Sequence, residues 1–191
     1  MSQTNEILEF WFGTADAEDY GKQRKVWFTK NQEFDEEVRS RFMPHYEQAA
    51  TNQLDDWKAL PQGCLALIIL LDQFPRNIFR GKPEAFATDS QALSYAQHAV
   101  TQGFDQELLP LQRWFVYMPF EHSENIEHQR QCVELFKQLS NEAHLSESLD
   151  YAYRHIKVIE RFGRFPHRNE ILGRETTPEE AEFLKQPGSS F

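Results

Sequence analysis

The run Cys64-Leu-Ala-Leu-Ile-Ile-Leu-Leu71 (CLALIILL) is the longest uninterrupted apolar stretch in the chain, and it spans eight residues. That is far short of the ~20 a membrane-spanning helix needs. Set within residues 62 to 73 it reads as a helix that is apolar all round, and such a helix in a water-soluble chain has to be buried on every side. Other helices are its natural cover. Apolar spacing is helical almost everywhere around it, with no run of alternating apolar and polar residues that would argue for strands. The sequence therefore predicts an all-α fold. The central helix is expected to stop near Phe74, because the residue before Pro75 is pushed out of helical geometry.

Working outward, helices are predicted over residues 4 to 12, closed by Gly13, and over 34 to 51, with Pro44 expected to kink the second. Thr88-Asp-Ser-Gln91 has the pattern of a capping box opening a helix that ends at Gly103. Leu108, Leu111, Phe115 and Met118 recur at helical spacing and give a helix to Pro119 with a core-facing stripe. Ser123 is expected to cap the next helix, 124 to 139. Leu149, Ala152, Ile156 and Ile159 mark one face of another over 146 to 162. Thr177-Pro-Glu-Glu180 is a capping box with proline at the first helical position, opening a last helix over 178 to 186. About eight short helices with brief links point to antiparallel hairpins, in a bundle or a tetratricopeptide-like stack, although no repeat of about 34 residues shows. Nothing divides the 191-residue chain, so residues 1 to 191 are read as a single domain with a frayed tail at 186 to 191.

The chain carries 20 basic and 30 acidic residues, a formal net charge of −10. Such a surface repels phosphate backbones and anionic lipid heads, so neither nucleic acid nor membrane is an expected partner. The opening MSQTNEILEFWFG has Glu6 and Glu9 inside its apolar segment and no basic region, and it does not read as a signal peptide. With two cysteines in all, Cys64 and Cys132, a reducing, cytoplasmic setting is expected.

Against that acidic background, Arg161-Phe-Gly-Arg-Phe-Pro-His-Arg-Asn169 (RFGRFPHRN) gathers three arginines and a histidine into nine residues, and Asp72-Gln-Phe-Pro-Arg-Asn77 (DQFPRN) echoes it. Part of the first stretch is ordinary. Arg161 and Arg164 continue a polar helix face opposite the Leu149 stripe and suit the negative end of a helix. His167, Arg168 and Asn169 lie beyond Pro166 and escape that account. A stiff turn holding several guanidinium forks is a preorganised site for carboxylate or phosphate. Asp72, near the C-terminal end of the apolar helix, needs a cation, either from Arg76 or from the second turn. If the two Phe-Pro turns meet, Asp72, Arg76, Asn77, Arg161, Arg164, Arg168 and Asn169 are the candidate ligand-binding residues of one cleft. The alternative is a clamp of structural salt bridges joining the two halves of the fold.

Candidate proton carriers are His122, His155 and His167, since histidine titrates near neutrality. His155 shares a face with Tyr151, Val158 and Phe162 and reads first as a satisfied boundary residue. Glu124 and His128 stand at i, i+4 but have no third ligand at helical spacing, so no metal is expected. Neither GxGxxG, GxxxxGK[ST] nor GxSxG occurs, which removes the best-marked nucleotide and serine-hydrolase classes; no cofactor is expected.

The combination of ILEFWFG at 7 to 13, LDQFPRNIFRG at 71 to 81, YMPFEHSE at 117 to 124, RFGRFPHRN at 161 to 169 and LGRETTPEEAEFL at 172 to 184 closely resembles the bacterial family called domain of unknown function 924, in order and over nearly the whole chain. The resemblance implies an all-helical, tetratricopeptide-like fold and carries no established activity with it. Two functional expectations stand. One is a small anionic molecule, phosphate- or carboxylate-bearing, held in an arginine-lined cleft as ligand or substrate. The other is a peptide held in a groove between helices. The sequence leaves the oligomeric state open.

Overall fold

Residues Cys64 to Leu71 have no solvent exposure, as a helix apolar on every side requires. The computed structural model describes residues 2–18, 20–139, 142, 145 and 148–190, and among them it is all-α, with short 3-10 turns and no strand. The helices are α1 (Gln3–Phe12), α2 (Gln32–Ala50), α3 (Pro61–Ile68), α4 (Phe74–Ile78), α5 (Asp89–Gln102), α6 (Pro110–His122), α7 (Ile126–Lys137), α8 (Ser148–Phe162) and α9 (Pro178–Leu184). The central α3 is surrounded by α1, α5 and α6, while α2 covers α4. On its remaining side α3 presses directly on the turn Asp55–Ala59. A Cβ on Gly63 would lie 2.2 Å from the Trp57 carbonyl oxygen, so only glycine fits there.

From α5 to α8 each helix packs on the next. The three-residue link between α6 and α7 obliges that pair to double back on itself. The main core is strongly aromatic: Trp11, Phe12, Trp27 and Phe115 form one knot of rings, and Phe10, Phe34, Phe42 and Phe74 another beside it. A second, small cluster of Val158, Ile159 and Phe165, with Ile126, Phe162 and Phe183 packed on it, seats α8 and α9.

The structure departs from the sequence expectation at four places. The central helical run does not stop at Phe74: a π-turn over Ile69–Gln73 carries it into α4, which ends at Ile78. The wider turn accommodates the ring of Pro75, and the Leu71 carbonyl, which Pro75 cannot serve, accepts from the Thr88 hydroxyl at 2.6 Å. That contact is also why Thr88 makes no capping box. Its hydroxyl is spent on α3's continuation, and Gln91 reaches the Ala49 carbonyl and Asn52 instead. Helix α6 runs through Pro119 to His122, since one proline deletes one hydrogen bond and the packed neighbours hold the rest. Finally, Asn125 caps α7, accepting from the Glu127 amide at 2.8 Å, and Ser123 binds the His128 ring at 2.9 Å. Pro44 sits inside an unbroken α2, and the Thr177–Glu180 capping box forms as its residues predict. Residues 146 and 147 of the expected eighth segment and Phe191 of the tail lie outside the described residues. Ser189 is buried and donates to the Leu184 carbonyl at 3.1 Å.

Candidate functional site

The π-turn puts two polar residues, Asp72 and Gln73, into the interior just before Pro75. A buried carboxylate must be compensated, and Asp72 is compensated from three sides. The His122 ring donates from Nδ1 at 2.7 Å, Arg76 Nη1 stands 3.5 Å away, and Gln73 Nε2 donates at 2.6 Å. Burial alone would raise the Asp72 pKa, but Arg76, His122 and Gln73 override it and hold it at about 2. The helix extension beyond Pro119 is what delivers His122 to this point.

Arg76 divides its donors. It meets both oxygens of Asp89 in the first turn of α5, at 3.0 and 3.1 Å, and also donates to the Asp72 carbonyl. Asp89 is at the same time 3.6 Å from Arg168 Nη1. Through Asp89 the two Phe-Pro turns meet, and Phe86 lies beside both guanidinium groups, 5.8 Å from that of Arg76 and 4.8 Å from that of Arg168.

Arg168 is the most unusual group of the set. It is only 7% exposed, it lies 4.6 Å from the Phe165 ring, and among the described residues its side chain makes no hydrogen bond; Nε is fully buried without a partner. Burial, reinforced by Arg76, pulls its pKa down to about 10, so it stays charged while under-compensated. The site thus joins Asp72, Asp89, Arg76 and Arg168, two charges of each sign, with a neutral imidazole. His122 is held neutral by burial and by Arg76, with Asp72 opposing. Its Nδ1–H is committed to Asp72, which leaves the Nε2 lone pair as an acceptor. The tautomer follows from that hydrogen bond.

Behind this layer lie further titratable groups. Glu121 is buried 3.4 Å from His155 Nδ1, and burial together with the Asp72 charge pushes its pKa up to about 8, so it carries its proton at neutral pH. His155 Nδ1 donates to the Tyr151 carbonyl at 2.8 Å, and burial depresses the ring to about 3. His167 stacks at a tilt on Phe165, 5.7 Å between centroids, and burial with Arg168 depresses it to about 4.

The remaining sequence candidates are engaged elsewhere. Arg164 holds both oxygens of the buried Glu180, at 2.6 and 2.8 Å, and the Glu175 carbonyl at 2.8 Å. Asn169 reaches Glu180 and Thr176, and Arg161 pairs with Glu179 at the surface. Asn77 donates to Asp35 of α2 at 2.8 Å, alongside Arg80. Glu124 accepts from the Phe165 amide and from Arg174, while His128 faces Ser123 and Gln97, so these two do not converge on a metal. Among the described residues no cluster of three metal-ligating side chains occurs, and no helix is long and apolar enough to cross a membrane.

Residues 7–188 match the family described as bacterial protein of unknown function (DUF924). The chain belongs to the DUF924 family. It is similar to a solved protein of unknown function, ATU0120 from Agrobacterium tumefaciens, at 40% identity with a TM-score of 0.83, over 95% of this chain and 96% of that one. No curated protein matches. Two members of the site in this DUF924 protein, Asp89 and Phe86, escaped the sequence reading. An acid at the first position of a helix is the commonest of sights, so Asp89 hid inside an apparent capping box.

Proposed function

We propose that this DUF924 protein binds a small anion-bearing molecule where Arg168, Arg76 and His122 come together, and that His122 Nε2 accepts a proton or hydrogen bond from it. The observation that carries this reading is a largely buried guanidinium that makes no hydrogen bond among the described residues and is electrostatically joined to the buried Asp72 of the Asp72–His122 pair. A purely architectural arginine would be expected to have its donors filled, as Arg164 has, because an unmet buried charge costs folding stability. Asp72 fixes the ring orientation and tautomer of His122, the arrangement that makes an imidazole an effective general base. We place this activity in the cytoplasm, in keeping with the free buried Cys64 and Cys132.

The test is thermal unfolding of the purified protein against a panel of phosphorylated and carboxylated metabolites, in wild type and in Arg168→Met and His122→Gln. A compound at a hundred times its Kd adds about 2.7 kcal/mol, which is several degrees for a chain of this size. A compound that raises the wild-type midpoint, but not that of the folded variants, supports the reading. A panel that moves none of them, or moves all three equally, contradicts it.

A further inference from the structure

We infer that the group held at Arg168 is a carboxylate monoanion rather than a phosphate, an inference that rests on the anion-site reading above. Three features of the site point this way.

The first is how the donors are spent. Arg76 has both oxygens of Asp89 and the Asp72 carbonyl on its fork, Thr88 Oγ1 is occupied by the Leu71 carbonyl, and Gln73 Nε2 by Asp72. Among the described residues Arg168 is the guanidinium of the site that remains, with Nη1 and Nη2 making no hydrogen bond and Nη1 only approaching Asp89 at 3.6 Å. A planar fork offers two parallel N–H bonds, which a carboxylate fills completely. A phosphate presents three oxygens in a tetrahedron and draws on several donors at once, backbone amides and hydroxyls among them.

The second is charge. Asp72 and Asp89 already offset Arg76 and Arg168, and His122 is neutral. A monoanion leaves the cluster one charge negative, whereas a phosphate monoester, close to a dianion at neutral pH, leaves it two negative beside two carboxylates. In a poorly solvated place that second charge is strongly unfavourable.

The third is approach. The rings of Phe86 and Phe165 lie 4.8 and 4.6 Å from the Arg168 guanidinium carbon. Rings beside a guanidinium favour ligands that approach it in its own plane; Nε is buried, so that approach falls to the Nη1–Nη2 pair, the in-plane geometry in which a carboxylate docks.

The experiment compares matched probes by thermal midpoint: benzoate against phenyl phosphate, lactate against glycerol phosphate, acetate against inorganic phosphate. Wild type and Arg168→Lys are run in parallel, with Arg168→Met as the uncharged control and circular dichroism to confirm that each is folded. Arg168→Lys keeps the positive charge and removes the fork. The expected result is a midpoint rise of several degrees with at least one carboxylate and none with its phosphate partner, abolished in Arg168→Lys and Arg168→Met alike. A phosphate response that survives in Arg168→Lys overturns this inference and leaves the anion site intact. Silence from every probe in wild type removes both. A short peptide with a free or an amidated C-terminus separates the two sources of a carboxylate: a response to the free peptide equal to or weaker than the small carboxylates fits a metabolite, and one far stronger overturns the small-molecule assignment.

Discussion

Arg164 spends its guanidinium on Glu180 and the Glu175 carbonyl, whereas the side chain of Arg168, four residues further along the same sequence motif, makes no hydrogen bond among the described residues. Around Arg164 everything is filled. Glu180 is buried, accepts from the Thr177 amide that it caps, and is held at about 2 chiefly by Arg164. Around Arg168 the charges are packed in and only partly met, and its own pKa is depressed. The DQFPRN turn divides the same way: Asn77 ties α4 to Asp35 of α2, while Asp72 and Arg76 face the site. Each Phe-Pro turn therefore has an architectural half and a half that faces the site; at Asp89 the fully engaged Arg76 of the first turn meets the under-compensated Arg168 of the second. Unmet burial of this kind is what stability alone would remove, and perturbed ionisable groups gather where function needs them.

The contrast can be attacked first at its most buried point. Asp72→Ala leaves Arg76, Gln73 and His122 without the carboxylate they surround, and removal of one partner from a buried ionic network costs about 3–5 kcal/mol. Urea unfolding should show a loss of that size, and a change below about 1 kcal/mol would mean that Asp72 is not the keystone of the cluster.

Glu121 gives the next largest effect, through pH. Its folded pKa of about 8 lies above the ordinary 4.5, so the folded state holds the proton more tightly than the unfolded chain. The associated stability is fully present below about pH 4.5 and is lost as pH rises toward 8. Glu121→Gln keeps the shape and cannot ionise. Its stability relative to wild type should therefore climb with pH across that window, by as much as a few kcal/mol, and then level off. Parallel urea titrations at several pH values measure it, and a difference that stays flat would refute the assignment of a protonated, buried carboxyl.

Smaller again is the cost on the architectural side. Arg164→Met should lower the Tm by several degrees, because it strands the buried Glu180, while leaving any anion response at Arg168 unchanged. A loss of the anion response in folded Arg164→Met would erase the division between the two halves.

The fold was legible because its strongest signals are long and periodic. CLALIILL demanded burial, the stripe at Leu111/Phe115/Met118 supplied part of its cover, and the stripe at Ala152/Ile156/Ile159 seated α8 on the neighbouring helices. The errors came from tertiary contacts that no local pattern contains. Thr88 was drawn off its cap by a carbonyl that Pro75 could not serve, and the π-turn that prevented the break at Phe74 depends on how α3 is enclosed. For the site, charge and stiffness of the two turns picked out Asp72, Arg76 and Arg168, and the titration range of histidine added His122. They could not separate Arg168 from Arg164, since that distinction is made by Glu180 arriving from α9 and Asp89 from α5. His155 illustrates the same limit: its helix face announced burial, and only packing placed it against Glu121.

The most direct test of the division is the thermal midpoint of Arg168→Met beside that of Arg164→Met, both without ligand. If Arg168 is held for a ligand, replacing its buried, under-compensated charge by an apolar side chain of similar length should leave the Tm unchanged or raise it, while Arg164→Met falls. A drop in Arg168→Met as large as in Arg164→Met would show that Arg168 is as structural as its neighbour, and the account of a functional site would fail.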